Sequence, residues 1–170
     1  KKKLQAHDVR VVLTRKEDKG LYSNSEDKAI RSLKTEDMKA RKQILDEVKP
    51  DLTVSIHLNS FTQDSSVKGA QVFYPINGEE EYTEASKTAA KIMQECLNRD
   101  LNREDARSEL GKNDVFLFRN ITSPIVIAEC GFLSNREEAD KLKNKKYQKK
   151  IAGSIAAGIC GYLDENGKKH

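Results

Sequence analysis

Apolar and polar residues alternate along residues 51 to 60 (DLTVSIHLNS), and this alternation predicts a β-strand with one buried face. The apolar positions are Leu52, Val54, Ile56 and Leu58. The opposite face holds Thr53, Ser55 and His57. A histidine at the end of a buried strand lies on a rigid rim, where α/β proteins often place their chemistry. Most histidines are neither ligands nor catalysts, so His57 taken alone favours a structural role and the rest of the chain must decide.

Further apolar segments surround this strand and predict an α/β fold. Runs of β-branched and aromatic residues predict strands at residues 9–14, 70–74, 115–118 and 125–130. Apolar residues at helical spacing predict helices at residues 35–49, 80–98 and 147–163, with a short helix capped by Ser134 or Asn135. The polar and charged residues 101–114 predict a loop. Strands that alternate with helices are typical of the α/β class.

The predicted sheet is mixed and mostly parallel, with helices on both faces. Only residues 119 to 124 join the strands at 115–118 and 125–130, whereas a parallel crossover needs roughly a dozen residues. If these two strands are neighbours, they are therefore antiparallel. If the strand of His57 then runs parallel to the strand at 125–130, His57 and Glu129 emerge at the same edge of the sheet.

Composition limits the partners of the chain. Its 170 residues suffice for one domain, and no apolar run approaches the roughly 20 residues of a membrane span. The net charge is +4, with lysine clusters at residues 1–3 and 141–150. Tryptophan is absent and no nucleic-acid motif is present, so solvated helix faces are favoured over a nucleic-acid surface. Three cysteines without a CxxC spacing indicate buried apolar side chains, not a disulfide framework or a zinc knot.

Glu129 stands near the end of an otherwise apolar strand, Ile125 to Cys130. A carboxylate in such a place is paired, bound to a metal, or raised in pKa. An ordinary ion pair with one of the basic residues is the simplest interpretation. An imidazole and a carboxylate that meet at a rim would suit a metal-activated water, with the glutamate as base and then acid. They would equally suit a His–Glu acid–base pair without metal.

Several segments, taken together, resemble the zinc-dependent N-acetylmuramoyl-L-alanine amidases of the amidase_3 type, and among these the CwlD-like sporulation amidases. The matching segments are LTR at 13–15, Arg41, SIHLNS at 55–60, KGAQVFY at 68–74 and IAECGFLSN at 127–135. The resemblance extends from about residue 9 to about residue 163.

The resemblance implies a mixed sheet of about six strands and hydrolysis of the amide between N-acetylmuramic acid and L-alanine of the peptidoglycan stem peptide. It also implies a Zn²⁺ ion held by two histidines and a glutamate, with a second glutamate for proton transfer. His57 matches one zinc-binding histidine, and Glu129 matches the catalytic glutamate. The other ligands are expected upstream of Lys1, so residues 1–170 are interpreted as a single amidase-like domain truncated at its N-terminus and lacking its first strand.

Two functions follow from this resemblance. The first is a peptidoglycan amidase of the spore cortex or cell wall, secreted or located in the cell envelope, which in a spore former includes the space between the forespore membranes. Its partners are peptidoglycan and a regulatory protein, and Arg103 and Arg107 are expected to border its glycan groove. The alternative is a non-catalytic amidase-like module that binds the wall or a partner without a complete zinc site.

Overall fold

The computed structural model describes residues 1–22, 29–119 and 121–167. Within these residues the chain forms a four-stranded sheet, five α-helices and one 3-10 helix. The strands are β1 (Thr53–Asn59), β2 (Gln71–Pro75), β3 (Leu110–Lys112) and β4 (Ile125–Phe132). The α-helices are α1 (Lys2–Gln5), α2 (Ile30–Val48), α3 (Glu80–Asp100), α4 (Arg136–Lys143) and α5 (Lys145–Glu165). The 3-10 helix is Phe116–Phe118, and no helix of the described residues is long and apolar enough to cross a membrane.

The sheet is mixed and mostly parallel, which confirms the predicted fold class. Its strand order is β1-β4-β2-β3. β4 pairs with β1 in parallel and with β2 in antiparallel orientation, and β2 pairs with β3 in parallel. β1 and β4, which contain His57 and Glu129, run parallel, and this is the condition under which both side chains emerge at the same edge of the sheet.

Two strand predictions and one loop prediction were wrong. The strand predicted at residues 115–118 is absent: Phe116–Phe118 form a 3-10 helix whose Phe118 is buried in the core. The third strand instead begins at Leu110, inside the predicted loop. Residues 9–14 contain no strand, and the side chains of Val12 and Leu13 are each 45% exposed. β-branched residues favour a strand only where a neighbouring backbone supplies hydrogen bonds. Residues 9–14 do not pair with β1, which is therefore an edge strand of the described sheet.

The number of strands and the start of α2 also differ from expectation. The described residues contain four strands, fewer than the six implied by the family resemblance. α2 begins at Ile30, and the predicted cap Thr35 lies inside it, where its hydroxyl donates to the Arg31 carbonyl. The remaining predicted helices are confirmed within a few residues, and Asn135 caps α4 by accepting from the Glu138 amide.

β4 forms the centre of the core because both of its faces are covered. Val126, Ala128 and Cys130 belong to the cluster that packs against α3 and α5. Ile125 and Ile127 point to the other face, into a second cluster. That second cluster also contains Phe73, Phe118 and Ile121. A strand buried on both faces has little freedom to slip in register, so the position of Glu129 on β4 is firmly specified.

Amide side chains within and just after α3 bond to the backbone at the start of β2, where β3 does not extend. Gln94 accepts from the Val72 amide at 2.8 Å, and Asn102 accepts from the Ala70 amide at 2.9 Å. Both residues also donate to the Ala70 carbonyl, at 3.2 Å and 2.8 Å. Asn98 joins them by accepting from both side-chain amides. Buried backbone groups left unpaired would destabilise the fold, so this ladder explains how β3 can be only three residues long.

Two glycines of α5 should respond oppositely to alanine. A Cβ at Gly158 would lie 2.8 Å from the Met93 Cα of α3, whereas a Cβ at Gly153 would meet only the flexible Lys3 side chain at 3.4 Å. We expect Gly158→Ala to destabilise by about 1–3 kcal/mol through overpacking. Gly153→Ala should stabilise by up to about 1 kcal/mol through helix propensity. Urea unfolding of both variants checks this, and equal effects would contradict the close packing of α3 on α5.

Candidate active site

The parallel pairing of β1 with β4 places His57 and Glu129 side by side. Their Cα atoms are register partners, and partners on adjacent strands project from the same face at a strand spacing of about 4.8 Å. Across the other edge of β4, Gln71 is the register partner of Glu129. We call the face that holds His57, Glu129, Gln71, Phe73 and Lys112 the site face.

Glu129 is a half-buried carboxyl group without the usual compensation for burial. Its Oε2 atom is buried, and among the described residues it has no hydrogen-bond partner. Desolvation raises the pKa of Glu129, and the charges of His57 and Lys112 partly oppose this rise. The ion pairs found in the described residues do not include Glu129, so the simple structural interpretation is not supported. A carboxyl group with a raised pKa can both accept and return a proton near neutral pH.

His57 lies at the exposed end of β1. Its Nε2 atom is 2.9 Å from the Ser55 hydroxyl oxygen, two residues earlier on the same face of the strand. The ring is thus oriented by one neighbour and open to solvent. An exposed imidazole at a strand end is free to bind a metal or a substrate.

The described residues do not provide a complete zinc site. They contain no group of three or more histidine, cysteine, aspartate or glutamate side chains placed to hold a metal ion. Zinc in proteins generally takes three or four protein ligands. His57 and Glu129 therefore supply at most part of a ligand set within the part of the chain that the structure describes.

Hydrogen bonds tie together the loops that follow the two strands. The Leu133 amide donates to the Asn59 carbonyl at 2.8 Å, and the Phe61 amide donates to the Ser134 hydroxyl at 2.9 Å. The Asn135 side chain donates to the Ser65 carbonyl at 2.9 Å. These contacts hold the end of β1 against the end of β4, and they fix the relative positions of His57 and Glu129.

Glu138 completes this connection, and its role was missed by sequence reasoning. Its Oε1 accepts from the Gly69 amide at 3.0 Å, and its Oε2 accepts from the Phe132 amide at 2.7 Å. At Gly131, where φ is 143°, a Cβ would lie 3.3 Å from the Glu138 carboxyl group. The spacing of Asn135 and Glu138 is that of a capping box, which predicts that the glutamate bonds at the start of its own helix. The Glu138 carboxylate instead accepts from two backbone amides outside that helix.

The two arginines expected to border a groove are both engaged in backbone contacts. Arg107 donates from Nε to the Lys68 carbonyl at 2.9 Å and from a terminal nitrogen to Gln71 at 3.1 Å. Its guanidinium also lies over the Phe132 ring, 5.2 Å from the centroid. Arg103 donates to the Arg99 carbonyl at 2.9 Å. These contacts account for both side chains structurally, and their contact with substrate stays a prediction.

We expect Glu138→Gln to destabilise the protein by about 1–3 kcal/mol, because an amide NH₂ would face one of the two backbone donors. Chemical denaturation measures this change. Glu137→Gln is the matched control, since Glu137 is exposed on the same helix turn and pairs with Lys141. Its unfolding midpoint should stay near that of the parent. Equal midpoints for the two variants would show that Glu138 does not hold the loops together.

Comparison with known proteins places this geometry in a family. Residues 1–161 match the family model Amidase_3, N-acetylmuramoyl-L-alanine amidase. The germination-specific N-acetylmuramoyl-L-alanine amidase of Bacillus subtilis (strain 168) is 35% identical over 164 residues, which are 96% of this chain and 66% of that protein. The chain thus spans slightly less than two thirds of this curated relative.

Solved structures agree with the family match. The CwlD amidase from Clostridioides difficile, determined in complex with the GerS lipoprotein, is 37% identical with a TM-score of 0.87, and the match covers 95% of this chain and 81% of that chain. The catalytic domain of the amidase CwlV from Bacillus (Paenibacillus) polymyxa var. colistinus is 28% identical with a TM-score of 0.73, covering 95% and 79%. The chain therefore belongs to the Amidase_3 family of N-acetylmuramoyl-L-alanine amidases.

Proposed function

We propose that this chain is the catalytic part of a peptidoglycan hydrolase that cleaves the amide between N-acetylmuramic acid and L-alanine of the stem peptide. The observation that supports the proposal most strongly is the half-buried, unbonded Glu129 carboxyl group beside His57 on the site face. Family membership supplies the substrate class. The site supplies a group suited to proton transfer at the rim of the sheet.

Glu129 performs the proton transfers in this proposal. Its carboxylate accepts a proton from water as the water oxygen bonds to the amide carbonyl carbon. The same proton then goes to the departing L-alanine nitrogen as the carbon–nitrogen bond breaks. Water and amide are consumed, a carboxylic acid and an amine are released, and Glu129 returns to its initial state. Burial raises the pKa of Glu129, which makes its protonated form a usable acid.

The proposal includes Zn²⁺ as cofactor, with His57 as one ligand. The remaining protein ligands are not assigned, because the described residues contain no group of three or more side chains that could hold a metal ion. A zinc ion bound at such a site lowers the pKa of bound water and so supplies a nucleophile. The position of His57 beside Glu129 supports its role as a ligand, because a metal ion held there would present its bound water to the Glu129 carboxylate.

The proposed place of action is outside the cytoplasm, in cell-wall remodelling or the spore cortex. The germination-specific relative of Bacillus subtilis and the Clostridioides difficile amidase support this setting. The latter was solved with the GerS lipoprotein, which supports a regulatory protein as a partner of this chain as well. Residues 1–170 are proposed to act as a single amidase-like unit.

A second candidate function is a wall-binding or partner-binding module without catalysis. The observation that favours it is the lack of a three-ligand group among the described residues. The two functions differ in a measurable product, since only the amidase releases peptides with a free L-alanine amino group from peptidoglycan.

Glu129→Gln should lower the release of these peptides by roughly 10²–10⁴-fold, because the amide cannot accept the proton from water. Chromatography of amine-labelled products from purified peptidoglycan measures the release. Activity within a few-fold of the parent would remove Glu129 from the proposed mechanism. A parent without any activity would support the binding module.

Stability as a function of pH separates lost chemistry from lost folding. Burial raises the pKa of Glu129 above its ordinary value of 4.5 in the folded protein, so the unfolded chain ionises first as the pH rises. Its contribution to the free energy of unfolding therefore decreases from about pH 4.5 upward, until the folded carboxyl group has also ionised. Glu129→Gln lacks this decrease and should be at least as stable as the parent at neutral pH. A destabilised variant would contradict the unbonded state of this carboxyl group.

His57→Ala should weaken zinc binding by at least about tenfold if His57 is a ligand. Competition with a chromogenic chelator measures the dissociation constant. His7→Ala is the matched control, because His7 is also exposed but lies before residue 9, away from the site face. Equal zinc affinity of the His57 variant and the parent would remove His57 from the metal site.

A further inference from the structure

Lys112 brings a positive charge to the site face. It is the register partner of Pro75 on β2, so it projects from the same face as Phe73 and Gln71. Its Nζ atom lies 4.0 Å from the centroid of the Phe73 ring, which means that the side chain folds back over β2 toward β4. The ammonium thus rests on an aromatic surface within the site face, a favourable arrangement for a cation.

This ammonium is available to bind an anion. The ion pairs of the described residues do not include Lys112, and its nitrogen forms no hydrogen bond with them. The charge acts on Glu129, whose pKa it lowers against the effect of burial. A lysine ammonium has three donors, and contact with a ring face leaves them free for an oxygen ligand.

The spacing of the sheet shows which part of a substrate Lys112 could reach. Phe73 is one strand and two residues away from Glu129, which corresponds to roughly 8 Å on the sheet, and it is roughly 12 Å from His57. An amide cleaved between His57 and Glu129 is therefore too far from Lys112 for contact with the reacting atoms. A substrate group several bonds away from that amide would lie at the right distance.

We propose that Lys112 is a specificity-determining residue that binds a carboxylate in the peptide part of the substrate. This inference rests on the proposed function. In a muramoyl peptide, the lactyl carboxyl group is consumed in the cleaved amide, so the free carboxylates belong to the peptide. The substrate accordingly lies across the site face with its glycan toward β1 and its peptide toward β3.

Equilibrium binding tests this inference without turnover. The probes are L-alanyl-D-glutamate and the same dipeptide with its glutamate carboxylates converted to carboxamides, titrated into the full chain and followed by NMR at fixed ionic strength. The parent should bind the acid at least tenfold more tightly than the amide. Lys112→Met should abolish this preference and leave affinity for the amide unchanged, whereas Lys112→Arg should retain most of it.

The control is Lys91→Met, which removes an exposed lysine from α3 and should leave the preference intact. Loss of affinity for both probes in Lys112→Met would indicate a structural effect and overturn the inference. A parent that binds both probes equally, or neither, would overturn it as well. Because the titration requires no hydrolysis, an inactive parent that still prefers the acid would contradict the proposed function and leave the carboxylate site standing.

Discussion

The parallel pairing of β1 with β4 is the constraint on which the site depends. Five successive register pairs run from Thr53 opposite Ile125 to His57 opposite Glu129. The register then shifts, and Asn59 stands opposite Phe132. The shift is a β-bulge that contains Gly131, whose φ of 143° suits a residue without a side chain. The two candidate functional residues thus occupy the last regular pair before the strands change course.

Burial of β4 keeps this register in place. Because alternate residues of β4 enter two different clusters, a slip by one residue would move Glu129 from the site face into the cluster beneath α3 and α5. Loss of apolar contacts and burial of a carboxyl group would then oppose the slip together. The apolar residues of the core and the position of the catalytic candidate are therefore specified by the same alternation.

The local pattern of apolar and polar residues was sufficient to predict much of this arrangement. The alternation in residues 52–58 and the apolar run before Glu129 predicted the two strands, but their relative direction entered the sequence analysis only as a condition. Residues 9–14 and 115–118 show the limit of such reasoning. Both have strand composition, but strand formation depends on a neighbour that local sequence does not reveal. The contacts of Glu138, Gln94 and Lys112 could not be predicted from local sequence either. Each of these side chains contacts a residue more than 20 positions away in the chain.

Three buried or half-buried carboxyl groups show why Glu129 is the one suited to proton transfer. Desolvation would raise the pKa of Asp37, but hydrogen bonds from Arg41 and the Leu21 amide outweigh it and lower that pKa. Glu138 is buried with two backbone amides as donors. Among the described residues, Glu129 has no such donor on Oε2, and burial raises its pKa. A carboxylate held by fixed donors is stabilised in its charged form, whereas one without them can take up and release a proton with little change in its surroundings. The network around Glu138 keeps the geometry rigid, and this rigidity allows the less stable environment of Glu129 to persist beside it.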